Sequence, residues 1–382
     1  MRPTNLSFGT AGTRFRAPFE NASAAGKDGG SIIVHVEDSE GNIGLGEGRP
    51  GGAPADETMQ TALAFLHRRR HALASLNDPQ DLANWIMRNA DEIDANPSAF
   101  CAAELALLDL FARQAGQTVE TVFVAPPLTG PLTVSAVYDS GSFLKFRSQA
   151  SAFQRKGLTE AKLKLRGDAR SDARRAALLA QRGRLRLDAG NLWADADTAV
   201  SNLKSLAKYA WAVEEPVGRF DWAAMKDVSD RLGLAIIVDT SFTHQADLER
   251  MPAGDAFIPN FRVSKLGGLM RSVSALRVAL DQRRRVIVGA QAGETSILAR
   301  AGLLLATGAG DKLAAYEGGY GTHLLRQDIV DPSLTFGEGG KLSPSAGLLE
   351  RPGLGLQLRA DAKSLMRPAV SQDYWMPLAH PA

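Results

Sequence analysis

Apolar and polar positions along the chain change their rhythm near residue 130. Before that point the pattern is mixed. NLSFGTAGTRF and SIIVHVEDSEGNIGLGEG read as strands, the second folded back on itself at DSEGN. ADETMQTALAFLHRRRHALASL and NPSAFCAAELALLDLFARQAG then place apolar residues at every third or fourth position and are rich in Ala and Leu, which predicts helices. Residues 1–128 therefore read as an α+β unit.

Residues 129–325 carry a different texture, short apolar strands separated by helical stretches: LTVSAVYD, AKLKL, RLRLDA, YAWAVEEP, LAIIVDTS, FIPNFRVSK, RVIVGAQ and KLAAYEG. Eight strands alternating with seven helices predict an α/β fold with a parallel sheet, and eight strands favour a closed barrel over an open sheet. Polar residues just past the strand cores fall at Lys164, Asp188, Glu214, Asp239 and Arg262, spaced by 24, 26, 25 and 23 residues, one βα unit each. Beyond 325 the alternation gives way to a Gly- and Pro-rich tail, 326–382, expected to return and pack on the first unit.

Charge narrows the range of partners. The chain has 44 basic and 42 acidic side chains, a formal net charge of +2, so no field marks it as a binder of nucleic acid or of a membrane surface. A small-molecule partner is expected instead. Cys101 is the single cysteine, which excludes an intramolecular disulfide and a cysteine-based zinc cluster. The start, MRPTNLSFGTAG, lacks a basic segment followed by an apolar one, and no run of ~18 uncharged apolar residues occurs. A soluble, cytoplasmic protein is expected, and a symmetric homo-oligomer is the commoner state for such a chain.

In a barrel of this kind, active sites sit where the strands end at their C-termini, so Asp188, Glu214 and Asp239 would converge on one mouth. Each acid taken alone would serve equally well as a helix cap. Three carboxylates in one mouth repel unless a cation lies between them, and a hard divalent ion such as Mg2+ prefers oxygen ligands. In AKLKLRG, one unit earlier, strand alternation puts Lys162 and Lys164 on one face. A lysine beside a metal's charge and partly buried gives up its proton more readily, and a neutral lysine is a competent general base.

The ordered set AKLKLRG, LDAGNLW, VEEP, VDTSF and RVSKLGGL resembles the enolase superfamily, within it the subgroup of muconate lactonising enzyme, o-succinylbenzoate synthase and dipeptide epimerase, over nearly the whole chain. The resemblance implies a (β/α)7β TIM-like barrel with an N-terminal α+β capping domain completed by the C-terminal tail. It also implies Mg2+ held by Asp188, Glu214 and Asp239, with Lys164 as base and Lys162 as its electrostatic partner. The chemistry that follows is abstraction of the α-proton of a small-molecule carboxylate substrate through a metal-stabilised enediolate.

Two departures bear on the outcome of that step. The subgroup's second lysine lies five positions before a Gly-Gly pair; here the pair is Gly267 and Gly268, and five back stands Arg262, with Lys265 three positions later. A guanidinium is a poor base and a good carboxylate clamp, and in a regular strand Arg262 and Lys265 would face opposite ways. One-base chemistry, elimination or cycloisomerisation, is therefore expected. The alternatives are racemisation or epimerisation of N-acylated amino acids or dipeptides with Arg262 or Lys265 on the second face, and a non-catalytic scaffold. After Asp188, Gly190 stands where the family often has Asn, and Asn191 follows, with Trp193 beyond. Strand seven holds no histidine, which disfavours the mandelate racemase-type dyad. Candidate substrate contacts are Arg49 and Phe19 in two loops of the first unit, Tyr138 at the end of strand one, Asn191, and Gln291 and Glu294 after strand seven.

Overall fold

A computed structural model describes residues 3–21, 24–51, 56–126, 128–138, 141–345, 347–362 and 365–368. Three antiparallel strands open the chain: β1 (Pro3–Asn21), β2 (Ala24–Asp38) and β3 (Ile43–Gly48). Helices α1 (Met59–Ala74), α2 (Pro79–Arg88), α3 (Ala90–Ala95), α4 (Pro97–Gln114) and α5 (Val119–Phe123) follow. The alternate glycines of IGLGEG decide how sheet and helix pack. A Cβ at Gly44, Gly46 or Gly48 would stand 2.0, 1.9 or 1.8 Å from a carbonyl oxygen of α4, so only a bare backbone lets the helix lie directly on β3. Apart from its C-terminal end α4 is buried all round, as its nearly continuous Ala/Leu/Phe sequence requires.

After the short β4 (Leu132–Thr133), the barrel strands are β5 (Ala136–Tyr138), β6 (Glu160–Lys164), β7 (Arg184–Asp188), β8 (Ala212–Glu214), β9 (Ala235–Val238), β10 (Phe257–Phe261), β11 (Val286–Val288) and β12 (Leu313–Tyr316). Between them run α6 (Phe143–Arg155), α7 (Ala169–Ala180), α8 (Ala196–Leu203), α9 (Trp222–Leu232), the short α10 (Asp247–Arg250), α11 (Leu269–Asp281) and α12 (Ser296–Ala309). β5 through β12 form one eight-stranded sheet in strict sequence order, every pair parallel. A parallel bridge between Val134 and Tyr316, with Ser135 N donating to Tyr316 O at 2.8 Å, joins the first edge to the last. The fold is thus the (β/α)7β barrel with an N-terminal sheet cap. The first apolar run, LTVSAVYD, divides: its start, β4, leaves the barrel to pair with β14 (Lys341–Leu342), after α13 (Tyr320–Leu324) and β13 (Val330–Asp331). β15 (Gln357–Leu358) then pairs β13, and β16 (Met366–Pro368) pairs β1, so the chain ends its described course in the first sheet.

Buried carboxylates of the cap terminate barrel helices. Glu47, at the end of β3, accepts from Thr295 N and Oγ1 and from Leu298 N at the start of α12. Glu104, in α4, accepts from Leu269 N at 2.7 Å and Met270 N at 2.6 Å, the first turn of α11. Unpaired N–H groups at a helix start carry partial positive charge, so each carboxylate is matched to its site and fixes cap against barrel. Among the described residues, no helix is long and apolar enough to cross a membrane.

Candidate active site

Strand register assembles the site. Lys164 of β6 is paired with Asp188 of β7, which is paired with Glu214 of β8, while Asp239 directly follows β9. Neighbours in register share a face, so the residues predicted one βα unit apart come together at the strand ends. Below them Lys162 is paired with Arg186. An apolar cluster of Ala212, Ala235, Ile237, Ile258, Ile287 and Ala315 lies alongside, with Ala212 in register with Arg186 and Ile237 with Glu214.

Every carboxylate in this mouth is engaged by a cation. Lys164 Nζ lies 2.6 Å from Asp188 Oδ2. Lys162 Nζ stands 3.3 Å from Glu214 Oε2, 3.8 Å from Asp188 Oδ2 and 3.0 Å from Glu317 Oε1. Asp239 takes Arg262 Nη2 at 2.7 Å and Lys265 Nζ at 2.9 Å. Burial opposes the charge of Lys162, but Glu214, Glu317 and Asp188 outweigh it and hold this ammonium above its ordinary range. In this arrangement Lys162 keeps its proton. Burial pushes the Glu214 carboxyl up to about 8; Lys162 pulls it down, and Asp188, Asp239 and Glu317 raise it further. Burial also works against ionised Asp188 and Asp239, yet the surrounding lysines, with Arg262 at Asp239, hold both below the usual carboxylate range.

The expectation that Arg262 and Lys265 face opposite ways is corrected by the structure. β10 ends at Phe261, and Val263 to Gly267 form a turn, so strand alternation stops before either residue. Both side chains converge on Asp239. Lys265 spends its N–H groups on Asp239 O (2.7 Å), Asp239 Oδ1 (2.9 Å) and Asn260 O (3.0 Å), and burial brings it down to about 8 against the pull of Asp239. Its side chain is 3% exposed, whereas those of Arg262 and Lys164 are 18% and 24% exposed.

The other candidates sort by their partners. Arg49, Gln291 and Glu294 meet at the seam of cap and barrel: Arg49 N donates to Ser264 Oγ at 2.8 Å and Nη1 reaches Gly293 O at 3.5 Å. Gln291 Nε2 donates to Arg49 O at 3.3 Å, and Gln291 N to Glu294 Oε2 at 3.0 Å. Asn191 ties loops together, donating to Glu215 Oε2 and Val217 O and accepting from Thr240 Oγ1. Tyr138 packs edge-on against Phe146 and Phe153 in the core. The side chain of Phe19 lies outside the described residues.

Three residues that the sequence reading did not assign complete the arrangement. Glu215, at φ 44°, accepts from Asp239 N and Ser241 N at 2.8 and 2.7 Å and so fixes the backbone that carries Asp239. The doublet in VEEP was its signal, and the chain turns out of β8 at Glu215 so that the two acids part. Arg186 stands beside Lys162 in register and Glu317, directly after β12, pairs both; Arg186 was legible as the residue two before Asp188, on the same face.

Among the described residues, no group of three or more His, Cys, Asp or Glu is arranged to hold a metal ion, because the three mouth carboxylates are turned onto ammonium and guanidinium groups. The donor set itself is all carboxyl oxygen and close enough that Asp188 and Asp239 both raise the carboxyl of Glu214. Its chemistry fits a hard divalent cation.

Residues 145–362 match the family model described as enolase C-terminal domain-like, and the chain belongs to that family of enzymes. It is similar to the hydrophobic dipeptide epimerase of Enterococcus faecalis, 27% identical over 274 residues that cover 70% of this chain and 76% of the relative. The chloromuconate cycloisomerase of Cupriavidus pinatubonensis is 28% identical over 263 residues, 65% of this chain and 69% of that one. The solved dipeptide epimerase from Cytophaga hutchinsonii, complexed with Mg and D-Ala-L-Val, superposes with a TM-score of 0.83 at 21% identity, covering 96% of this chain and 99% of the other.

Proposed function

We propose that this enzyme removes the α-proton of a small-molecule carboxylate with Lys164 and completes an elimination or cycloisomerisation from that one face. The cap, residues 1–128 with the tail 326–382, would close over the barrel of residues 129–325. Asp188, Glu214 and Asp239 would hold Mg2+, a reading supported by their donor chemistry and by the Mg-bound relative. When bound, the ion supplies positive charge that acidifies a carbon next to a ligated carboxylate. Lys164, the more exposed lysine of the pair, takes the proton at Nζ, and Lys162, paired with Glu317, balances the negative charge that develops on the substrate.

The observation that carries the one-base reading is the disposition of Arg262 and Lys265. Arg262 is the more exposed of the two, and its guanidinium keeps its proton; Lys265 is buried with its donors spent on two carbonyls and a carboxylate. A second reading, racemisation or epimerisation of N-acylated amino acids or dipeptides, is favoured by Lys265 being brought down to about 8 and by the dipeptide epimerase among the relatives. Deuterium incorporation in heavy water separates the two. Offered L and D isomers of N-acylated amino acids and dipeptides, a one-base enzyme exchanges the α-proton of a single isomer; exchange of both overturns the reading.

A further inference from the structure

Beneath the three mouth carboxylates runs a buried chain of alternating charge. Arg186 Nη2 donates to Glu317 Oε1 at 2.8 Å, Glu317 receives Lys162 Nζ at 3.0 and 3.1 Å on its two oxygens, and Lys162 reaches Glu214 at 3.3 Å. The side chains of Arg186 and Glu317 are 0% and 3% exposed. Glu317 is pinned from the backbone as well, its N–H donating to Val288 O at 2.8 Å. Arg186 Nε and Nη1 are buried without a hydrogen-bond partner among the described residues, so Glu317 is what its guanidinium grips there.

A buried guanidinium with idle donors is an inefficient way to fill a barrel, because apolar side chains of similar volume usually stabilise at least as well. The apolar cluster of the same sheet shows that such positions can be filled that way. The pair therefore has a role other than packing. Glu317, directly after β12, pairs Lys162 and raises the neighbouring Glu214 carboxyl, while Arg186 bears on the site through Glu317.

We propose that Arg186 and Glu317 are positioning residues that clamp the Lys162 ammonium and set the charge under the three carboxylates. The inference rests on the reading of Asp188, Glu214 and Asp239 as Mg2+ ligands. Glu317 adds a negative charge to the floor of the site and holds Lys162 back from closing on Glu214. Arg186 offsets that charge and fixes the orientation of the Glu317 carboxylate. Removing the two charges must then shift cation affinity in opposite directions, a signature that loosened packing does not produce.

The test is isothermal titration of the purified full chain with MgCl2, with circular dichroism to establish that each variant is folded. Glu317→Gln, isosteric and uncharged, is expected to weaken Mg2+ binding about tenfold, and Arg186→Met to tighten it about threefold, with the double variant between them. Folded variants that both weaken binding alike, or that both bind as the parent does, overturn the proposal. Should Arg186→Met fail to fold, Glu317→Gln decides alone, and unchanged affinity in it overturns the clamp. A parent protein that binds no Mg2+ overturns the ligand reading and this inference with it, whereas Mg2+ binding that is indifferent to both variants overturns only the inference.

Discussion

Arg262 and Lys265, three residues apart, both end on the Asp239 carboxylate, one at 2.7 Å from Oδ2 and the other at 2.9 Å from Oδ1. Their environments differ more than their distances. Lys265 is enclosed and also holds the carbonyls of Asp239 and Asn260, so Lys265→Met strips a buried carboxylate of a partner and leaves two carbonyls short of a donor. The expected loss is about 3 kcal/mol of folding stability. Arg262→Ala, at a more open position, is expected to cost about 1 kcal/mol. Urea unfolding of both variants checks the order; a larger loss at Arg262 would contradict the role given to Lys265.

In the proposed mechanism Lys164 takes the substrate proton; in the fold its ammonium pairs Asp188 at 2.6 Å. Asp188 keeps Lys162 at 3.8 Å when Lys164 is shortened. Lys164→Ala should therefore leave the urea midpoint nearly unchanged while slowing α-proton exchange by about a thousandfold. Mass spectrometry of an exchanging N-acylated amino acid or dipeptide in heavy water reads the rate. Exchange at the parent rate would remove Lys164 from the mechanism.

How much of this was legible in the chain depends on the range of the contacts involved. Lys162, Lys164, Asp188, Glu214 and Asp239 were found because strand alternation and the length of a βα unit are local rhythms that the barrel preserves. Arg262 and Lys265 were misjudged in orientation because FIPNFRVSK gives no local sign that the strand stops at Phe261. Tyr138 and Asn191 looked like pocket residues from their positions. Their partners, Phe146 and Phe153 for the one and Glu215, Val217 and Thr240 for the other, come from other elements, and no spacing reveals them.

Glu104 couples stability to pH. Burial pushes its carboxyl up to about 7, the N–H groups of Met270 and Leu269 and the charge of Arg271 pulling the other way. The native state then binds more protons than the unfolded chain between about pH 4.5 and 7, so this group's contribution to stability falls as pH rises through that window and levels off above it. The fall amounts to about 3 kcal/mol as an upper figure. Urea midpoints across that range should decline more steeply in the parent than in Glu104→Gln, whose amide does not titrate. Equal slopes would remove Glu104 as the source.

Gly46→Ala tests the contact between cap sheet and helix. The added Cβ would stand 1.9 Å from Ala102 O and 2.6 Å from Ala106 N, both backbone atoms of a helix buried on nearly every side. Neither can move without lifting α4 from β3. A loss of more than about 3 kcal/mol is expected, enough to unfold the cap in a marginally stable chain. Near-ultraviolet circular dichroism and urea unfolding measure it, and a variant as stable as its parent would mean the sheet and helix stand further apart than described.

Arg262→Lys asks whether the second face lacks only a proton carrier. The guanidinium of Arg262 is partly exposed beside Asp239, in the mouth that also holds Lys164. An ammonium on a shorter stem can release and regain a proton there, which a guanidinium does not do at neutral pH. The parent enzyme should exchange the α-proton of one isomer of an acceptable substrate. Arg262→Lys should keep that exchange and add slow exchange of the other, on the order of a hundredth of the first rate, since the new amine is not oriented as an evolved base is. Deuterium incorporation into each isolated isomer, followed by chiral chromatography, reads both rates. A variant that exchanges only the parent's isomer would mean that access to the second face, rather than the chemistry of residue 262, confines the enzyme to one base.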